Sequence, residues 1–223
     1  MSKKILNKEE QEIFEITKEY LRKQSIVKII ELVSFIDNRL KFNPNYNKYK
    51  IEKIVKSLIK KKVILIGTKL TKDDILSIQT RKNIFDYIKK KPGININEIK
   101  NEFNLGSNQV LWHLRMLNDF EFIRIVKIGN QKAIFDINFD DKQENIIFHL
   151  RNEKIQEIMN LLKNSNEALK PTIISESLNI HYNTIKKYLD ILLKLKIIIK
   201  VNGNKKKRYQ INYDIYQNLE RLI

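Results

Sequence analysis

Ser107, Asn108, Gln109, Leu111, Trp112 and Arg115 share a short segment with Val110, Leu114 and Leu117, and the two sets separate onto opposite sides of a helix. The polar set defines the chemistry. Asn and Gln each hold a carbonyl acceptor beside an amide donor, a pattern that pairs bidentately with an adenine edge, while the planar fork of Arg fits guanine or phosphate. Ser107 is a good N-cap and can donate to a phosphate. The same amides are equally ordinary on a solvated helix surface. Trp112 leaves three placements open: stacking on a DNA sugar, burial at a subunit interface, or covering the first helix of its segment.

The apolar set belongs to a larger pattern. Val110, Leu114, Leu117 and Ile123 have counterparts 75 positions on, at Ile185, Leu189, Leu192 and Ile198, and 59 positions back, at Ile51, Val55, Leu58 and Ile64. In each copy the first three fall at i, i+4 and i+7, one face of a helix, and a β-prone run follows. One helix-to-strand unit is used three times.

The elements around each copy follow from punctuation and periodicity. In the first segment the pattern predicts helices over 8–23 (capped by Asn7), 25–40 (Ile29, Ile30, Val33 and Ile36 inward) and 47–61, then a single strand Val63–Ile66 whose hairpin is truncated. The central segment predicts a helix over 80–90 stopped by Pro92-Gly93, a short strand at Ile94, a helix over 96–103, a tight turn at Asn104-Leu105-Gly106, and a third helix with Ser107 as N-cap. Two strands then flank a loop at 127–131. The third segment repeats this order: helices over 152–163, from Pro171, and over 183–195; strands 197–201 and 205–211 around Asn202-Gly203-Asn204; and a closing helix over 213–222 with Tyr216, Leu219 and Leu222 for packing. The implied segments are 1–71, 72–140 and 141–223.

Three helices with a tight turn between the second and third, then a β-hairpin, is the order of the winged helix-turn-helix. Through Pro92-Gly93-Ile94, the Ile99…Leu105 helix-turn and Val110-x-x-His113-Leu114-x-x-Leu117, the central segment resembles the winged-helix domains of archaeal and bacterial transcription regulators of the ArsR and MarR type. The resemblance covers residues 78–138 most fully, then 152–212, then 8–70. It implies a mainly helical α+β fold with small β-hairpin wings, in tandem units, and a third helix lying in the major groove of double-stranded DNA.

On that implication the groove-facing residues are Ser107, Asn108, Gln109, Leu111, Trp112 and Arg115, and in the third segment Tyr182, Asn183, Lys186 and Lys187. His113 falls where such families often place a histidine beside the core. Wing contacts to phosphate fall to Lys127 and Lys132 and to the run Lys205-Lys206-Lys207-Arg208; Lys53 and Lys56 serve the first segment, whose third helix also carries Lys48, Lys50, Lys60, Lys61 and Lys62.

Charge supports a polyanionic partner. The chain of 223 residues has a formal net charge of +17; residues 1–71 carry 17 Lys/Arg against 8 Asp/Glu, and 72–140 carry 11 against 9. Part of this excess is genomic, since abundant Lys, Ile and Asn with little Gly, Pro and Ala is what AT-rich coding produces. The sequence contains no cysteine, which removes disulfides, thiolate metal sites and a cysteine nucleophile. Its three histidines lack acidic partners at metal-ligand spacing, so neither metal nor cofactor is expected. No glycine-rich phosphate loop, nucleophile elbow or zinc-protease signature is present, so the sequence predicts a non-enzyme. The N-terminus lacks the apolar core of a signal peptide and no run reaches membrane-spanning length, which predicts a soluble cytoplasmic protein.

The leading expectation is a sequence-specific DNA-binding transcription regulator. A homodimer is expected through Gln143–Lys163, where Ile146, Ile147, Leu150, Ile155, Ile158, Leu161 and Leu162 exceed what one domain's first helix needs. The alternatives are a tandem winged-helix protein-interaction module, with a transcription-machinery partner among its options, and a nonspecific DNA-architectural protein.

Overall fold

The computed structural model describes residues 6–24, 26–203 and 206–219. The chain divides into two compact units, Met1–Asn138 and Phe139–Ile223. Mostly helical, it carries two small antiparallel hairpins, an α+β architecture of winged-helix kind.

The first unit holds two hydrophobic cores. One is closed by α1 (Lys8–Lys23), α2 (Ile29–Arg39) and α3 (Lys48–Lys60) around Ile13, Leu32, Ile36, Ile51, Val55 and Leu58. The other follows a single-turn α4 (Lys72–Ile75) and is built from α5 (Gln79–Lys90), α6 (Ile96–Phe103), α7 (Ser107–Asp119) and the hairpin β1 (Ile123–Ile128) with β2 (Gln131–Asp136). In the second unit α8 (Asp141–Leu150) precedes α9 (Glu153–Lys163), α10 (Pro171–Leu178), α11 (Tyr182–Lys194), β3 (Ile198–Gly203), β4 (Lys206–Ile211) and α12 (Tyr213–Leu219).

All twelve positions of the repeat are buried, each with at most 1% exposure. The repeat extends to the backbone. Lys62, Glu121 and Lys196, spaced as the apolar positions are, adopt left-handed φ of 57°, 57° and 59°. Behind each, the next residue donates its N–H back into the helix: Val63 to Leu58 O at 3.0 Å, Phe122 to Leu117 O at 2.8 Å, Ile197 to Leu192 O at 2.9 Å. These are three copies of one helix-terminating motif, which satisfies otherwise orphaned carbonyls and turns the chain from helix to strand at a fixed angle. A non-glycine residue pays steric cost there, so the closure is held by the flanking burial.

Several sequence expectations change. Val63–Ile66 is not a strand: Ile64 forms a single bridge to Thr71, because Gly67, at φ 78°, turns the chain at once. That turn instead pairs with Val27, whose N–H donates to Thr68 O at 3.1 Å and whose carbonyl accepts from Gly67 at 3.1 Å, so α2 starts only at Ile29; Ser25 lies outside the described residues. Ile30 is 81% exposed, and Leu32 takes the inward place expected of it. Ile94 contributes one bridge, to Ile134, rather than a strand. The α7 N-cap is Gly106, with Ser107 as the first helical residue. The central hairpin turns on Gly129-Asn130 alone, since Ile128 and Gln131 are paired, and Asn202 and Gly203 belong to β3 rather than to a turn. Asn204 lies outside the described residues, as do Leu222 and the side chain of Leu219.

Gln143–Lys163 is two helices, broken where Arg151 and Asn152 separate α8 from α9. Leu150, Ile155, Ile158 and Leu162 enter the second unit's own core, Ile146 and Leu161 pack against it, and Ile147 is 6% exposed. The apolar surplus that motivated a dimer contact is therefore used within the chain.

Glu10 ties α1 to α3. It is 4% exposed, caps its helix by accepting the Asn7 N–H at 3.0 Å, and accepts from Ser57 Oγ at 2.7 Å and from Lys61 Nζ. Burial pushes its carboxyl up, but hydrogen bonds from Lys61, Ser57 and Asn7 hold it below the ordinary glutamate value. Glu10→Ala is expected to cost about 1–3 kcal/mol near neutral pH. Because the folded-state value is depressed, the contribution is present above the unfolded value and is lost as pH falls through the folded one. The gap in melting temperature between variant and wild type should thus close on acidification; a gap constant with pH would contradict this ionic tie.

Candidate nucleic-acid interface

The helix α7 stands on its buried face, Val110, Leu114 and Leu117, and leaves Ser107, Asn108, Gln109, Leu111, Trp112 and Arg115 exposed. Its preceding turn closes because Asn104 takes a left-handed φ of 49°, which asparagine tolerates, and Asn179 does the same before α11 at 51°. Gln109 spends its Oε1 on the Gly106 N–H at 3.1 Å, so its amide carbonyl serves the helix start and only its NH₂ points free. Asn108 has both halves of its amide available. Arg115 lies 77% exposed, with Nε 3.5 Å from Asp119, a loose pairing that leaves the rest of its fork open.

Trp112 covers the first helix of its domain: the guanidinium carbon of Arg81, on α5, sits 4.7 Å from the indole centroid, and the tryptophan remains 47% exposed. His113 lies beside the core at 8% exposure; burial, then the charge of Arg81, pushes its imidazole below the ordinary value.

The adjoining wing sets Lys127 directly across from Lys132, both exposed. Like charges at opposed positions are unfavourable in a hairpin, and neither lysine has an acidic partner among the described residues. The pair costs stability unless an anion lies over it.

In the second unit Tyr182, Asn183, Lys186 and Lys187 are all exposed along α11, whose N-cap His181 accepts the Asn183 N–H on Nδ1 at 3.2 Å. On β4, Lys207 is exposed, while Arg208 faces Glu167 at 3.6 Å; Lys205 and the side chain of Lys206 lie outside the described residues. The cationic helix of the first unit is partly neutralised. Lys56 pairs with Glu52 at 2.6 Å, Lys50 with Glu9 at 2.6 Å, and Lys61 with Glu10; Lys53 has no acidic partner among the described residues.

Two residues escaped the sequence reading. Arg81 looks like surface charge at a helix start, yet it is fully buried. Tyr49, 78% exposed, stands at the repeat position of Asn108 and Asn183. The 59-residue offset alone would have found it. Among the described residues no group of three His, Asp or Glu could hold a metal ion, and no helix is long and apolar enough to cross a membrane.

A family model described as an N-terminal HTH domain matches residues 78–147, so the chain carries a helix-turn-helix domain across α5–α7 and its wing. The chain is also 26% identical over 170 residues to an uncharacterized HTH-type transcriptional regulator of Methanocaldococcus jannaschii, a match covering 75% of this chain and 43% of the relative. It thus spans under half of that relative's length. Among solved structures, the DIP2311 protein from Corynebacterium diphtheriae is 14% identical with a TM-score of 0.25, covering 62% of this chain and 27% of that one. ScpB from Mycobacterium tuberculosis is 10% identical with a TM-score of 0.25, covering 69% and 98%.

Proposed function

We propose that this protein is a sequence-specific double-stranded DNA-binding transcription regulator acting in the cytoplasm, built from a helical, degenerate and wingless unit over residues 1–71 and winged-helix units over 72–140 and 141–223. The middle unit is of the ArsR/MarR kind. The observation that carries this reading is the division of α7 into a fully buried apolar face and an exposed Ser107-Asn108-Gln109 row, beside a wing that opposes Lys127 to Lys132. The helix-turn-helix family match and the relative named as a transcriptional regulator support it.

Asn108, the NH₂ of Gln109 and Arg115 read base edges in the major groove. Lys127 and Lys132 neutralise phosphates flanking it; in the third unit Tyr182, Asn183, Lys186 and Lys187 face the groove while Lys207 and Arg208 meet phosphates, with Lys205 and Lys206 assigned there by sequence alone. Lys53 and Lys56 contribute backbone contacts from the first. No catalytic step is assigned. A protein-interaction role, with the transcription machinery as partner, has one observation in its favour: Leu111 and Trp112 are 49% and 47% exposed on the same helix.

The wing is tested by Lys127→Ala/Lys132→Ala. Each lost phosphate contact lowers the slope of log affinity against log salt by about 0.9, so the double variant is expected to bind all duplexes more weakly and with a slope shallower by about 2. An unchanged slope would remove the wing from the interface.

A further inference from the structure

Arg81 lies fully buried at the start of α5, and only one of its nitrogens is used: Nη1 donates to Ile75 O at 3.0 Å. Nε and Nη2 have no hydrogen-bond partner, and no carboxylate stands within ion-pair distance among the described residues. His113 Nδ1, also buried, has none either. A buried guanidinium without a counter-ion is among the costliest arrangements a protein can hold, since desolvation is unrepaid. The two idle groups are not scattered. Nε and Nη2 form the edge of the fork that grips a carboxylate with two parallel hydrogen bonds, and a neutral imidazole can present an N–H from Nδ1. Beside them lies one half-exposed ring, Trp112, whose centroid is 4.7 Å from the guanidinium carbon and which meets His113 edge-on with 4.9 Å between ring centroids.

We propose that Arg81, His113 and Trp112 form a binding site for a small carboxylate, with Arg81 as the ion-pairing group, His113 as a flanking donor and Trp112 as the movable cover. A carboxylate fits better than a phosphate, because a single delocalised charge matches the fork and costs less to desolvate than a dianion. Trp112 belongs to α7, so lifting it from Arg81 alters the surface that carries Asn108 and Arg115. The ligand is in that way coupled to whatever α7 contacts, and on the DNA-binding reading above it changes affinity for DNA.

The sequence has a single tryptophan and nine tyrosines, so emission excited at the red edge of indole absorption, where tyrosine does not absorb, reports on this site alone. The full chain is titrated without DNA with sodium acetate and with sodium succinate, ionic strength being held constant with sodium chloride. A saturable change in Trp112 emission and a rise in melting temperature over the chloride control are expected. Arg81→Lys, which keeps the charge and loses the fork, should weaken the response about tenfold or more. Should Arg81→Lys not fold, the wild-type chain is titrated with acetamide, which has the shape of acetate but no charge, and is expected to give neither the emission change nor the rise in melting temperature; acetamide acting as acetate does would overturn the site. Carboxylates acting no differently from chloride, or acting equally on Arg81→Lys, would overturn the site. DNA binding is then measured with and without acetate. No DNA binding in either condition would sink the regulator reading while leaving the emission result standing.

Discussion

Leu114→Ala is expected to lower stability by about 2–5 kcal/mol, the range for truncating a fully buried leucine in a core that collapses incompletely. Leu114 is 1% exposed at the middle position of the repeat, where the underside of α7 meets the core of the helix-turn-helix domain. The groups proposed to face DNA stand on the other side of the same helix, so the variant separates support from contact. Thermal unfolding should show the loss directly, with any fall in DNA binding tracking the unfolded fraction. Leu189→Ala, also 1% exposed at the equivalent place in the second unit, should cost a similar amount. A melting temperature unchanged by either substitution would refute the packing described.

Asn108→Ala carries the second large effect, and it is an effect on discrimination. Each good bidentate contact is worth about 1–3 kcal/mol of preference for the right base. Asn108 has its whole amide free, whereas Gln109 already gives its carbonyl to the Gly106 N–H at 3.1 Å. Asn108→Ala should therefore flatten preference between a specific and a shuffled duplex and leave affinity for the shuffled one nearly unchanged. Gln109→Ala should also shave helix stability, because it removes a hydrogen bond at the α7 start. A drop in affinity shared equally by both duplexes would assign Asn108 to the backbone rather than to a base.

The parts of this fold legible in the sequence are those written in apolar spacing. Val110, Leu114 and Leu117 announce the buried face of α7, and the same offsets place Ile51 and Ile185 correctly inside. What escaped was written in backbone conformation. Lys62, Glu121 and Lys196 hold the left-handed turns that end the repeated helices, and none is a glycine, so the usual signal is missing. The apparent strand at Val63–Ile66 has the right composition for β structure, but the turn at Gly67 leaves room for one bridge only. Composition also misled at Arg81, where burial of an arginine without an acidic partner runs against every prior for that residue type. For the candidate interface, side-chain type and exposure could be read ahead. That Gln109 is half committed, that Lys56 is paired with Glu52, and that Lys127 faces Lys132 depended on geometry.

Whether α7 reads sequence is decided by fluorescence-anisotropy binding to a labelled duplex from upstream of the protein's own coding region, against a shuffled duplex, from low to physiological salt. A preference of about a thousandfold that survives at physiological salt is expected, within the range of specific over nonspecific binding. Equal binding to both duplexes, fading steeply as salt rises, would contradict it.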